Sequence, residues 1–273
     1  MSPDGLRILE SLQVVDAERR RRAADPALLA CVHAVKQYQH ARFERSHADL
    51  LSQPRYARAA RFFLEELYGP HDFAERDAQF ARVIPALVRL FSHEIVSTVR
   101  ALGELHALSE VLDSALATAI AEPPDGLAAS PTVARTDGCV PNPLTGSAAA
   151  FDRAAYVRAW QLVGQPEQRE RQVLLMLEIG RALDVYTRKP LLRHTLRMMR
   201  LPAQAAGLGA LQEFLESGFD TFREMRGAAE FLDAVAARER ALCSALFAAD
   251  AVAQVTSSVS TLSATALLLG QLP

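Results

Sequence analysis

Apolar residues recur at intervals of three and four positions along nearly the whole of this sequence. This spacing is typical of amphipathic α-helices that bury one face. Alternating apolar and polar runs, which would predict strands, are nearly absent, and no Asn-Gly or Asp-Gly turn joins two of them. The pattern therefore predicts an all-α protein.

Proline and acidic residues divide the pattern into a multi-helix bundle of about ten helices. Asp25 followed by Pro26 predicts the start of a helix that continues to about Leu51, because aspartate caps backbone amides and proline fits the first turn. Pro85 lies inside the fourth predicted helix. Since proline removes a helical hydrogen bond, we expect it to kink or split that helix.

Residues 122–150 interrupt the helical pattern and are rich in proline, glycine, serine, threonine and alanine. This composition predicts a flexible linker or loop. It separates an N-terminal helical half (1–121) from a C-terminal helical half (151–273). We expect the second half to pack on the first, so that both belong to one structural unit.

The chain ends in an uncharged segment, residues 251–273. Seven of its 23 residues are serine or threonine, so we expect a small-residue helix docked on the body and no membrane contact. No apolar leader is visible at the N-terminus. Cys31, Cys139 and Cys243 are far apart, which argues against disulfides and favours a cytoplasmic protein.

The formal net charge is -2, and the sequence has one basic block, Arg19 to Arg22, with acidic residues on both sides. We interpret this block as the solvated end of a helix. A domain that binds nucleic acid usually carries a clear basic excess. We therefore expect no nucleic-acid partner.

The second predicted helix carries a polar stripe at four- and three-residue spacing, consisting of His33, Gln37, His40, Glu44 and His47. Its Glu-x-x-His pair resembles half of a di-iron site. The chain contains no second such pair. The stripe is therefore expected to face solvent.

The fifth predicted helix carries a second group, because His106, Glu110 and Asp113 share one face next to a leucine stripe. A partly buried histidine beside two carboxylates could bind a metal or relay a proton. His106, alone or with Glu110, is thus a candidate ligand for haem or iron. The alternative is a structural network that joins this helix to an arginine of a neighbour.

Residues 62–79 combine aromatic side chains, a tight turn and a charged helix start. Tyr68, Asp72, Arg76 and Asp77 are the candidate ligand-binding residues of this corner. Asp72 near a helix N-terminus is electrostatically favourable. The alternative is a corner held by ion pairs.

The C-terminal half contains basic residues interleaved with leucine and methionine. They are Arg181, Arg188, Arg193, Arg197 and Arg200, with Asp184 among them. Several of them could form an anion site. Otherwise they form ion pairs on the surface or between helices.

Common enzyme motifs are absent: no phosphate loop ending in Gly-Lys-Ser/Thr, GxGxxG, HExxH or GxSxG occurs in the chain. Their absence favours a protein without enzymatic activity. No catalytic residue and no cofactor are predicted, apart from the haem or iron alternative.

The string from Arg55 to Gln79, which reads RYxxAxxFFLxxLYGPxDFxxRDxQ, resembles an uncharacterised family of helical bacterial proteins. The stretches Leu105–Glu110, Met198–Ala203 and Phe214–Phe219 are similar to the same family. The resemblance spans roughly residues 30 to 247 and implies one evolutionary unit. It implies no catalytic residues.

These observations favour a helical binding or interaction protein, with a homodimer or another protein as the partner. Two alternatives remain open. One is a haem or metal protein with His106 as ligand, and the other is a sensor of a small anion that uses Arg76 or the C-terminal arginines.

Overall fold

The computed structural model describes residues 2–66, 69, 73–121, 151–256 and 263–273. Within these residues the chain forms helices and no strand, so the all-α prediction is confirmed. Ten of the helices have seven or more residues, which agrees with the predicted bundle of about ten.

In chain order the helices are α1 (Pro3–Ala23), α2 (Pro26–Ser46), α3 (Ala48–Ser52), α4 (Ala57–Glu66), α5 (Ala74–Leu90), α6 (His93–Ala121), α7 (Arg153–Val163), α8 (Pro166–Thr187), α9 (Pro190–Met198), α10 (Arg200–Ala205), α11 (Gly209–Met225), α12 (Ala229–Leu246), α13 (Ala251–Thr256) and α14 (Ala264–Leu269).

Side-chain caps explain where several helices begin. Ser2 Oγ accepts a hydrogen bond from the backbone amide of Gly5 at 3.2 Å and caps α1. Asp25 Oδ1 accepts two amide hydrogen bonds at 3.0 and 3.1 Å and caps α2, with Pro26 in its first turn as expected. Asp152 caps α7 in the same way. Each cap satisfies amides that otherwise lack a partner.

One predicted helix end is wrong, and one predicted split does not occur. Helix α2 ends at Ser46 rather than near Leu51, because His47 leaves helical geometry (φ −124°, ψ 22°) before the short α3 begins. Helix α5 runs through Pro85 without a break, so this proline does not split it. The alternative, a kink at Pro85, stays a prediction.

Helix α6 is the longest and lies at the centre, where it packs against α1, α2, α5, α7 and α8. The largest apolar cluster includes Phe43 and Phe63 from before residue 122 and Leu175, Phe222 and Phe231 from after residue 150. Both parts of the chain therefore share one core. The predicted linker, residues 122–150, lies outside the described residues, and the predicted domain boundaries stay a prediction.

The uncharged tail packs on the body. Leu269 and Leu272 are buried in a cluster that also contains Tyr156 and Leu246. The tail contains the two short helices α13 and α14 rather than one helix. No helix in the described part of the chain has the length and apolar character needed to cross a bilayer.

Candidate functional site

One face of α6 follows the wall of an interior cavity. Val99, Leu102, His106, Glu110 and Asp113 succeed one another at three- and four-residue spacing, and all five line this cavity. At 1.5 Å per residue the row extends about 21 Å along the helix. The structure thus brings the candidate residues His106, Glu110 and Asp113 to one elongated space.

Asp77, from α5, is the first charged centre of this space. Its Oδ2 accepts hydrogen bonds from Arg19 at 2.5 Å and from Nε2 of His106 at 2.8 Å. Burial alone would raise its pKa, but His106, Arg19 and the nearby Arg76 outweigh this and lower the pKa to about 2. Asp77 is therefore an anion that holds α1, α5 and α6 together.

Glu110 is the second charged centre. One of its oxygens accepts a hydrogen bond from Arg22 of α1, and the other accepts one from Lys36 of α2 at 2.6 Å. Burial would raise the pKa of this carboxyl group, but the two cations lower it to about 2. Glu110 is thus an ionised group between two cations from different helices.

Asp113, one turn further along α6, behaves differently. Its Oδ1 accepts a hydrogen bond from the Gln39 side-chain amide at 3.1 Å. Asp113 forms no ion pair within 4.0 Å with any other described residue, unlike Glu110. Burial raises the pKa of Asp113, and neighbouring Glu110 adds to this while Lys36 opposes it. The cavity therefore contains one carboxyl group that is held less firmly in its anionic form.

Arg76 lies where the corner meets the cavity. Its guanidinium group is 3.9 Å from the centre of the Phe73 ring and 4.6 Å from that of Phe214, and it donates a hydrogen bond to Glu66 at 2.7 Å. Stacking between two rings suits the planar, weakly hydrated guanidinium group. The other two candidates of the corner, Tyr68 and Asp72, lie outside the described residues.

The cavity has a volume of about 240 Å³ and lies between helices from both sides of residues 122–150. Its wall combines these charged groups with apolar side chains such as Phe80, Val99 and Leu246. Leu215 of α11 is the one exposed residue among the described residues of its wall (42% exposed). We place the opening of the cavity beside this side chain.

The far end of the cavity is aromatic. Trp160 of α7 lines it, and the guanidinium group of Arg169 lies 4.0 Å from the Trp160 ring centre. Nε1 of Trp160 is buried and has no hydrogen-bond partner in the described part of the chain. A buried donor without a partner is costly.

The sequence pattern of the family described as "Domain of unknown function (DUF8198)" matches residues 18–253. The chain belongs to this family. The match includes the whole stretch over which the resemblance was recognised, and the prediction of an uncharacterised family is confirmed. No curated protein and no solved structure matches the chain.

The cations that neutralise the cavity all lie within the region that matches the family. Most of them were not predicted from the sequence to face the interior. Arg22 is 5% exposed and contacts Glu110, so the interpretation of Arg19 to Arg22 as a solvated helix end is wrong for Arg22 and for the half-buried Arg19. Arg20 and Arg21 are exposed as expected. A helical projection of α1 was the one signal that could have separated Arg19 and Arg22 from the two exposed arginines, because residues three positions apart share a face.

The polar stripe of α2 also has an exception. His33, Gln37 and Glu44 are exposed as predicted. His47 is fully buried, stacks on Phe43 at 4.1 Å between ring centres, and its Nε2 lies 3.9 Å from Glu239. Burial lowers the pKa of this imidazole, which makes it a neutral core residue.

The C-terminal arginines separate into two groups. Arg188, Arg193 and Arg197 line one surface cleft together with Arg223, which was not predicted. Arg181 lies elsewhere, 3.6 Å from Asp233, and Arg200 pairs with Glu216.

Among the described residues, no group of three or more histidine, cysteine, aspartate or glutamate side chains is placed to hold a metal ion. Nε2 of His106 faces Asp77, and both oxygens of Glu110 face cations. The haem or iron alternative therefore gains no support from the geometry of these two residues.

Proposed function

We propose that this protein binds a small organic molecule in the cavity along α6. The observation that carries the proposal is the cavity itself, whose wall combines fixed charged groups with apolar and aromatic side chains. Ligand sites in proteins are mostly apolar concavities in which a few polar groups fix orientation. Because Asp77 and Glu110 are already held by cations, such a site is preorganised and needs little rearrangement on binding.

We infer that the ligand carries an anionic group. The cavity is lined by four cations, Lys36, Arg42, Arg76 and Arg169, and by five carboxyl groups, Glu66, Asp77, Glu110, Asp113 and Glu239. Two of these carboxyl groups, Asp77 and Glu110, also pair with Arg19 and Arg22, which do not line the cavity. The guanidinium groups of Arg76 and Arg169 lie over aromatic rings of the wall, and a carboxylate or similar group on the ligand would bind them in a poorly solvated space.

The shape of the cavity favours an elongated ligand. The row of α6 side chains extends about 21 Å, and apolar and aromatic side chains also line the cavity. An amphipathic molecule with one anionic group and one or two apolar arms satisfies both features. This proposal extends the expectation of a small-anion sensor that uses Arg76.

The single tryptophan of the chain provides the test. Trp160 lines the cavity, so a ligand that enters alters its fluorescence. We would titrate the purified protein with 1-anilinonaphthalene-8-sulfonate, an apolar molecule with one anionic group. We expect saturable binding at one site, with energy transfer from Trp160 to the dye.

A pair of matched variants makes this test specific. Ser109 lines the cavity, whereas Ser244 of α12 is exposed and outside its wall. Ser109→Leu narrows the middle of the cavity and should weaken dye binding at least about tenfold, a loss of about 1.4 kcal/mol. Ser244→Leu should leave it unchanged. Equal binding by both variants, each shown to be folded by circular dichroism, rules out the cavity as the site.

The haem or iron alternative makes a different prediction for the same preparation. It requires a haem absorption band or bound iron in the purified protein or after addition of either. A colourless, metal-free protein that takes up neither haem nor iron excludes this alternative and leaves the cavity proposal intact.

Self-association is a second candidate function, and it rests on another observation. Four apolar side chains of α9, α10 and the residue between them are at least 50% exposed: Leu191, Met198, Met199 and Leu201. Exposed apolar side chains in one short segment are typical of contact surfaces. We expect light scattering to give the mass of a dimer, and Leu201→Arg to give that of a monomer. A wild-type protein that stays monomeric at high concentration contradicts this candidate.

A further inference from the structure

The C-terminal arginines form a cleft at the surface that is separate from the α6 cavity. We call it the arginine cleft, and it is lined by Thr187, Arg188, Arg193, His194, Arg197 and Arg223. Its volume is about 320 Å³. The end of α8, helix α9 and the last turn of α11 supply these side chains, so the cleft exists only in the folded chain.

Positive charge exceeds negative charge at this cleft. Asp220 is shared by two arginines, since it lies 3.2 Å from Arg193 and 3.7 Å from Arg197. Asp184 pairs with Arg188 at 2.6 Å. Arg223 is exposed and forms no ion pair with any described residue. Four arginines therefore face two carboxylates, and His194 adds a further hydrogen-bond donor.

We propose that the arginine cleft binds a phosphate monoester. The guanidinium group presents parallel N–H donors that fit two oxygens of one phosphate group. Arginines from α9 and α11 approach the cleft from two directions, which suits a group with three terminal oxygens. A phosphate monoester carries close to two negative charges at neutral pH, and the excess of positive charge at the cleft matches this value.

A phosphate monoester can belong to either of two kinds of ligand, a soluble phosphate ester or the headgroup of a lipid. We would titrate the full-length protein at low ionic strength with phenyl phosphate by calorimetry. In a second arm we would measure co-sedimentation with phosphatidylcholine vesicles that contain phosphatidic acid. Binding in the first arm identifies a soluble ester, and binding only in the second identifies a lipid.

Three variants in the cleft and one outside it make the experiment selective. Arg197→Gln and Arg223→Gln should each weaken binding about fivefold to tenfold, because each removes a charge-assisted hydrogen bond. Asp220→Asn should tighten binding by about twofold to fivefold, since it removes a competing carboxylate. Arg181→Gln, an exposed arginine of α8 outside the cleft, should have no effect.

The result for Asp220→Asn separates a binding site from a set of structural ion pairs. A purely structural role predicts that this variant disorders Arg193 and Arg197 and weakens any binding. The proposal is overturned by that outcome, by an absence of binding in both arms, or by equal losses in Arg181→Gln and Arg197→Gln. Ser109→Leu should leave phosphate binding unchanged, so the cleft and the cavity are tested independently.

Discussion

The cavity along α6 and the arginine cleft are built from the same residue types, arginine with aspartate or glutamate, under opposite conditions. In the cavity wall, the side chains of Arg22 and Glu110 are 6% and 7% exposed. In the cleft, those of Arg197 and Asp220 are 51% and 28% exposed. The first pair is surrounded by protein, whereas the second is partly exposed to water.

This difference in solvation explains the difference in pairing. A charge that leaves water loses several kcal/mol of solvation, so a buried carboxylate needs partners on each oxygen. Glu110 has two of them, Arg22 and Lys36. Exposed charges are screened, and their pairs contribute little. The cleft can therefore keep excess arginines, which makes it suited to an external anion.

The largest effect is expected for Glu110→Gln. This change leaves Arg22 and Lys36 buried without their carboxylate, and it should lower the free energy of unfolding by about 3–5 kcal/mol. Urea denaturation at pH 7 measures it. The matched control is Glu224→Gln, which breaks the exposed pair with Arg58 and should cost less than about 1 kcal/mol. Similar losses in both variants would refute the contrast between the two regions.

Acid should reveal the same contrast. The pKa of Glu110 is lowered from 4.5 to about 2 in the folded chain, and the folded state therefore binds its proton more weakly than the unfolded state. The stabilisation is complete above about pH 4.5 and is lost as the pH falls towards 2. It amounts to about 3 kcal/mol. The stability gap between wild type and Glu110→Gln should narrow over this range, and a constant gap would contradict the assignment.

Asp113→Asn should act in the opposite direction. Because burial raises the pKa of Asp113, the ionised form of this carboxyl group is disfavoured in the folded chain. Asparagine retains the oxygen that accepts a hydrogen bond from Gln39. We therefore expect the free energy of unfolding to rise by about 1 kcal/mol, a gain that is common when a destabilising functional group is replaced. Thermal unfolding at pH 7 measures the gain. A loss of stability would show that the carboxylate is required for packing.

The smallest effect is expected for arginines of the cleft. Arg197→Gln and Arg223→Gln should each change the free energy of unfolding by less than about 0.5 kcal/mol, because both side chains are exposed. Urea denaturation measures this beside the anion titration. A larger loss of stability in either variant would show that the arginine has a structural role, as the buried charged residues of the cavity do.

The sequence predicted the helices and their faces well where local rules apply. Capping by Asp25 and the shared face of His106, Glu110 and Asp113 follow from spacing and side-chain chemistry alone. It failed where a neighbouring helix decides the outcome. His47 continues a solvent-facing stripe by its spacing, yet the packing of α12 beside it, with Glu239, covers its ring.

For the same reason, the sequence predicted the carboxylates of the candidate site but not the cations that pair with them. Carboxylates on the apolar edge of α6 were visible as exceptions to its leucine stripe. Their partners were not visible, because Arg22 lies 88 residues and Lys36 lies 74 residues away along the chain from Glu110. The spacing of residues within one helix does not predict which face a neighbouring helix turns towards it.

The sequence alone thus determined the class of fold, the limits of most helices and which residues could carry charge into the interior. Only the tertiary structure decided that Arg19 and Arg22 face inwards, that α6 lines an elongated cavity and that Arg223 joins three arginines from elsewhere in the chain. Helix formation depends on neighbours three or four positions apart. The angle and rotation at which helices pack depend on every side chain at the contact, and those contacts join distant parts of the chain.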